Sequence, residues 1–197
     1  MSTFRNDSAC RFWKVRFVDS FTGRVWGFLV IDNTQRGPSL GGIRIDPNLK
    51  MEEMNRLAHT MTLKNSIACL PFGGGKSGLI MDPSLLLKEP KYKSELICLF
   101  ADALFPFDKY ISAPDMGTNE QDIQQIYEYN CKKLCKESHT RGGTGRGFEF
   151  GGIPIDKWEL TAHGLVAAVI KMQESCPGLK IKGSSVIIQG YGNVGAP

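Results

Sequence analysis

Three side chains in this 197-residue chain have the types and the setting for proton chemistry: Lys64, Lys76 and Asp115. Lys64 and Lys76 flank an apolar stretch. The first lies near the end of a helical pattern and the second directly after the triple glycine Gly73-Gly74-Gly75. If the chain folds both toward one pocket, each ammonium disfavours the other's charge, and burial adds to that effect. One lysine then stays cationic and holds a carboxylate, while the other moves toward neutrality and works in proton transfer. Asp115, in Ser112-Ala-Pro-Asp-Met-Gly-Thr118, follows an expected strand, where α/β sheets commonly place ligands. Taken singly, Lys64 also reads as a solvated helix residue and Asp115 as a turn former.

Two glycine motifs invite phosphate readings. The segment Gly190-Tyr-Gly192-Asn193-Val194-Gly195 matches G-x-G-x-x-G and follows Ser184–Gln189, which reads as a buried strand. Such glycines form a tight turn and let backbone approach a pyrophosphate. The plainer alternative is a glycine-rich turn with no ligand. The acidic residue that would bind a ribose is expected about 20 residues further on, past Pro197, so these residues hold the opening of a dinucleotide site. Gly75-Lys76-Ser77 resembles the close of a triphosphate loop, but that motif needs a glycine where Leu70 stands. Cys131, Cys135 and His139 share helical spacing, yet a closed zinc site needs a fourth ligand and none is near. We expect no metal. His59 and His163 read as structural or pocket-lining.

The elements that must hold these groups follow from periodicity. Residues 12–18 and 25–31 predict strands joined by a turn, and another short strand falls near Gly42–Ile45. Asn48 is a plausible cap for a helix through Met51, Met54, Leu57, Ala58 and Met61, running toward Cys69. Strands are expected at Leu79–Met81 and Tyr110–Ala113, and a helix around Leu96–Leu104. Thr118 and Gln121 have the form of a capping box for the helix through Ile123, Ile126 and Leu134. Residues 137–152, rich in glycine and without hydrophobic period, read as a linker before a helix at 156–174. Strands alternating with helices argue for an α/β fold.

Composition sets the outer limits. Hydrophobic residues at 42% and charged residues at 22% exclude a disordered or collagen-like chain. The net charge of +4, from 24 basic and 20 acidic residues spread along the chain, argues against a nucleic-acid partner. The strongly apolar run Trp26–Ile31 is far short of a membrane span, and charged residues interrupt the N-terminus where a secretory signal would lie. Six cysteines without a C-x-x-C pair suit reduced thiols and a cytoplasmic setting.

Six motifs occur in order: Gly37-Pro-Ser-Leu-Gly-Gly-Ile-Arg44, Met61-Thr-Leu-Lys64-Asn, Pro71-Phe-Gly-Gly-Gly-Lys76, Ala113-Pro-Asp115-Met-Gly-Thr118, Thr161-Ala-His-Gly164 and the final GYGNVG. Together they closely resemble the glutamate/leucine/phenylalanine/valine dehydrogenase family. The resemblance implies oxidative deamination of an L-amino acid to a 2-oxo acid and ammonia, with NAD or NADP as cofactor. It implies that Lys64 binds the substrate α-carboxylate, Lys76 activates the attacking water, and Asp115 exchanges protons with the amino group. Gly41 and Gly42 would let the substrate lie against backbone, with Met61 and Ala113 beside it. Thr161 would approach the nicotinamide amide, and Gly190, Gly192, Asn193, Val194 and Gly195 the rest of the cofactor. Residues 1–137 resemble the family's substrate-binding and dimerisation domain, 138–152 its linker, and 153–197 the start of a Rossmann domain. A homo-oligomer is implied.

Position 40 bears on substrate choice. Glutamate-specific members tend to carry a lysine before the paired glycines, where this chain has Leu40. Burying a carboxylate against leucine costs several kcal/mol, so a leucine, valine or phenylalanine type of substrate is expected. Glutamate is the alternative, because residues 145–156 look more like the glutamate enzymes. The 197 residues by themselves are not expected to perform the reaction, and the rival of another class is a catalytically inactive oligomerisation module that keeps strands 12–31 for subunit contacts.

Overall fold

Apolar residues alternate before, and run almost unbroken after, a turn that the Asp19 carboxylate closes by accepting from the N–H groups of Phe21 and Thr22. The two runs pair as an antiparallel hairpin of β1, Trp13–Val18, and β2, Val25–Ile31. The computed structural model describes residues 12–135, 143–192 and 194–197. After the hairpin come β3 (Ser39–Ile45), α1 (Met51–Ile67), β4 (Gly73–Leu79), α2 (Pro83–Lys88), α3 (Pro90–Leu104), β5 (Tyr110–Pro114) and α4 (Glu120–Leu134). The sheet order is β1-β2-β4-β3-β5, with β3 parallel to both β4 and β5 and the remaining pairs antiparallel. The fold is α/β, as expected.

Strand β4 differs most from the sequence reading, which put a strand at Leu79–Met81 and a loop at the glycines. The strand is Gly73–Leu79, every residue of it buried, and the triple glycine and Lys76 lie inside it. Glycine-rich strands carry no hydrophobic alternation, so the period-2 signal was missing. Packing explains the composition. A Cβ on Gly74 would fall 2.1 Å from the Thr62 nitrogen and 2.5 Å from the Ala58 oxygen, both in α1. One on Gly78 would meet Leu49 and approach Met54 near the helix start. Helix α1 therefore lies antiparallel along β4, in a contact too close for side chains at Gly74 and Gly78.

The other sheet face is closed by α3 and α4. Ile43, Ile45 and Leu79 share a buried cluster with Ile97, Phe100, Ile123 and Ile126. Each such side chain contributes about 1.5–3 kcal/mol on leaving water. The helix caps differ from those expected. Helix α1 starts after Lys50 with no side-chain cap, and Asn48 instead sits in a turn on Asp46. The capping box of α4 is Asn119 with Asp122, because the Thr118 hydroxyl is engaged by β3 and Asp115. Helix α2, capped by Asp82, had no counterpart in the sequence reading.

Chain contacts divide the protein into two compact units, Met1–Gly152 and Ile153–Pro197. Part of the expected linker packs in the first unit. Thr144 donates its N–H to the Ser112 carbonyl, and buried Arg146 binds the carbonyls of Gly143 and Phe150. The second unit contains α5, Leu160–Ser175, which starts later than the expected helix at 156. Ser184–Gln189 forms no strand and is exposed, contrary to the sequence reading. A lone strand has no ladder partner to hold it. Among the described residues no helix is long and apolar enough to cross a membrane.

Candidate active site

Register alone assembles most of the site. Residues paired on adjacent strands point to the same sheet face. Leu40 pairs with Gly74 and Ile111, Gly42 with Ala113, and Arg44 with Gly78. The pairing of Ile43 with Ser77 brings Lys76 alongside Gly42. Gly74 looks directly at α1, so Leu40, Gly42, Arg44, Lys76 and Ala113 all lie on the α1 side. Asp115 follows Pro114 at the end of β5. The loop holding it is tied to β3: the Asp115 N–H donates to the Thr118 hydroxyl, which donates to the Ile43 carbonyl, and the Ile45 N–H donates to Met116.

The charged groups converge there. Lys76 Nζ lies 2.8 Å from Asp115 Oδ2, and Arg44 Nε lies 2.9 Å from the same oxygen. The other arm of Arg44 reaches Glu53 in the first turn of α1 at 2.7 Å. Lys76 is only 5% exposed. Burial pushes its pKa down, and the charges of Arg44 and Lys64 add to this against the pull of Asp115. For Asp115 burial acts upward, but Lys76 and Arg44 together outweigh it and hold the carboxyl below its usual range. Burial also lowers the Arg44 value, yet Asp115 and Glu53 win and raise it. Burial raises the Tyr110 phenol, whose hydroxyl donates to the Gly41 carbonyl and lies 2.9 Å from Ser77 Oγ.

Of the residues singled out from sequence, Leu40, Gly42, Lys76, Ala113 and Asp115 share this site. Lys64 is exposed in the last turn of α1, within electrostatic reach of Lys76, and Met61 is half-buried one turn before it. Gly41 faces the other way. Its Cβ position is filled by the Gly75 carbonyl, at 1.8 Å, so here the glycine serves strand packing. Arg44 and Glu53 were not anticipated. The alternation Leu40, Gly42, Arg44 carried a signal for the first, whereas nothing local marks Glu53. His59 packs against Asp32, 3.3 Å away, and lines a pocket with it.

The glycine motif near residue 190 belongs to the second unit. Gly190 takes a φ of +93°, and Gly195 and Ala196 donate to the Gly192 carbonyl. A Cβ on Gly195 would fall 2.3 Å from the Gly190 oxygen. The turn therefore suits a close backbone approach, although no strand leads into it. Thr161 is exposed in the first turn of α5, Val194 is partly exposed, and Asn193 lies outside the described residues. His139 does too; among the described residues no three His, Cys, Asp or Glu side chains gather as metal ligands.

Comparison with known proteins gives a consistent picture. The family model "Glu/Leu/Phe/Val dehydrogenase, dimerisation domain" matches residues 13–131. The chain is 37% identical over 166 residues to the NADP-specific glutamate dehydrogenase of Saccharolobus shibatae, covering 83% of this chain and 38% of that protein. It is 35% identical to the NAD-specific glutamate dehydrogenase of Clostridioides difficile, covering 86% and 40%. The hetero-hexameric glutamate dehydrogenase of Thermus thermophilus, solved in a leucine-bound form, superposes with a TM-score of 0.74 at 27% identity, over 100% of this chain and 44% of the other. The Peptoniphilus asaccharolyticus enzyme gives 0.71 at 29% identity, over 99% and 46%. The chain spans about 40% of the length of the C. difficile relative. With the family model covering most of a sheet that gathers Lys76, Asp115 and Arg44 at one point, the chain belongs to the Glu/Leu/Phe/Val dehydrogenase family.

Proposed function

We propose that this protein takes part in the NAD(P)-dependent oxidative deamination of an L-amino acid to a 2-oxo acid and ammonia. Residues 1–137 act as the substrate and subunit-contact domain, 138–152 as the linker, and 153–197 as the opening of the cofactor domain. The observation that carries this reading is the buried Lys76 ammonium 2.8 Å from Asp115. Burial makes Lys76 release its proton more readily than an ordinary lysine. As a neutral amine it takes a proton from the water that attacks the substrate's imine carbon. Asp115, kept ionised by its two cations, exchanges a proton with the substrate nitrogen. Lys64 binds the α-carboxylate from the end of α1. The nicotinamide cofactor, when bound at the Gly190–Gly195 turn, supplies the acceptor for the substrate's two electrons.

Leu40 supports an aliphatic or aromatic substrate. It is half-buried on the α1 side of the sheet, one row from Gly42 and Lys76. An apolar side chain gains there what a second carboxylate would lose by desolvation. The names of the relatives favour glutamate as the second reading. We infer a homo-oligomer, and the cysteines among the described residues, all free, suit a cytoplasmic setting.

The test is reduction of NAD or NADP, followed by absorbance, with leucine, valine, phenylalanine and glutamate. The highest kcat/KM is expected for one of the first three, and a preference for glutamate reverses the substrate assignment. Lys76→Ala abolishes turnover while cofactor binding persists. Stable oligomers that neither bind cofactor nor turn over substrate would favour the oligomerisation module instead.

A further inference from the structure

Asp115 has two carboxylate oxygens, and its neighbours use them unequally. Oδ2 receives both Lys76 Nζ and Arg44 Nε, while no donor among the described residues reaches Oδ1. Left to itself, an arginine pairs with a carboxylate through both arms of its fork. Arg44 gives Asp115 its Nε alone, while Nη1, on the opposite side of the guanidinium from the Nε–H, is held at 2.7 Å by Glu53 and fixes the orientation of the group. The fork is split between two acids on different elements, one in α1 and one after β5. The four groups sum to zero, with Lys76 and Arg44 balanced by Asp115 and Glu53.

We propose that Glu53 is a positioning residue: by holding one arm of Arg44 it confines the guanidinium to Oδ2 and leaves Oδ1 of Asp115 open to the substrate's amino group. This rests on the reading of Asp115 as the group that exchanges protons with that nitrogen. The charged groups facing Asp115 are Lys76 from β4 and Arg44 from β3, with Glu53 and Lys64 of α1 behind them. Without the Glu53 charge the cluster carries an excess cation, and Arg44 is drawn wholly onto Asp115, closing over Oδ1. The free oxygen is then a consequence of where α1 sits on the sheet.

The test uses Glu53→Gln, which keeps side-chain length and removes the charge. Expected is a fall in kcat of about tenfold with KM little changed, a fraction of a full acid–base contribution. NMR titration of the Asp115 carboxyl in the 197-residue chain is expected to move to lower pH in the same variant, and this readout needs no turnover. Adding Arg44→Gln to Glu53→Gln removes the competing guanidinium and recovers part of the lost kcat, whereas a merely structural role for Glu53 gives a further loss. An unmoved Asp115 titration, or wild-type kcat in Glu53→Gln alongside an inactive Asp115→Asn, overturns the clamp and leaves the acid in its role. A fully active Asp115→Asn overturns the acid reading itself.

Discussion

Gly42 stands against Asp115 so closely that a Cβ at position 42 would lie 2.7 Å from the acid's own Cβ and 3.2 Å from Lys76 Nζ. The missing side chain is what lets the ion pair form on the α1 side of β3. Gly42→Ala is expected to displace the acid, cost about 1–3 kcal/mol through overpacking, and reduce kcat more than it raises KM. Urea unfolding and steady-state kinetics on the same preparation separate the two effects.

Asp115→Asn leaves Lys76 and Arg44 without their shared anion. Removing one partner of a buried pair is expected to cost about 3 kcal/mol at neutral pH. The Asp115 carboxyl is held below its unfolded value, so its contribution is complete above that value and is lost as pH falls through the folded one. Unfolding free energy measured from neutral pH down to below the usual 3.8 of aspartate should fall less steeply in Asp115→Asn than in wild type. Parallel curves would contradict the assignment.

Gly74→Ala tests the architecture without reference to chemistry. The new methyl would collide with the Thr62 nitrogen of the α1 backbone, and a helix cannot yield like a side-chain tip. Destabilisation of at least about 2 kcal/mol is expected, read as a lower denaturation midpoint with unchanged slope. A neutral Gly74→Ala would mean that α1 does not lie on β4 as described.

Leu40→Lys places an ammonium on the α1 side of β3, one register row from Gly42 and Lys76. If this position meets the substrate side chain, the ratio of kcat/KM for glutamate over leucine rises about a hundredfold. An unchanged ratio would remove Leu40 from the pocket.

How much of this was legible beforehand depended on whether a residue's role is local. β1 and the helices α1 and α4 announce themselves by apolar period, because one face of each is buried and the other is wet, whereas β2 and β5 read as short apolar runs covered on both faces. Lys64, Lys76 and Asp115 stood out through residue type and through motifs that resemble a known family. β4 did not, since its period is written in glycines, of which Gly74 admits the backbone of α1, sixteen residues away at Ala58, and Gly75 the side chains of Ser39 and Tyr110.

Residue order alone therefore determined the alternation of strands and helices and the family, and it singled out Asp115 and Lys76, which the fold brings together. Tertiary structure decided which oxygen of Asp115 is occupied, that Arg44 joins it, and that Glu53 holds Arg44 from another element. The reason is physical: propensity and period act over a few neighbouring residues, whereas desolvation and ion pairing act between groups 71 and 9 positions apart. Only packing α1 and β5 against β3 brings those charges within hydrogen-bonding distance.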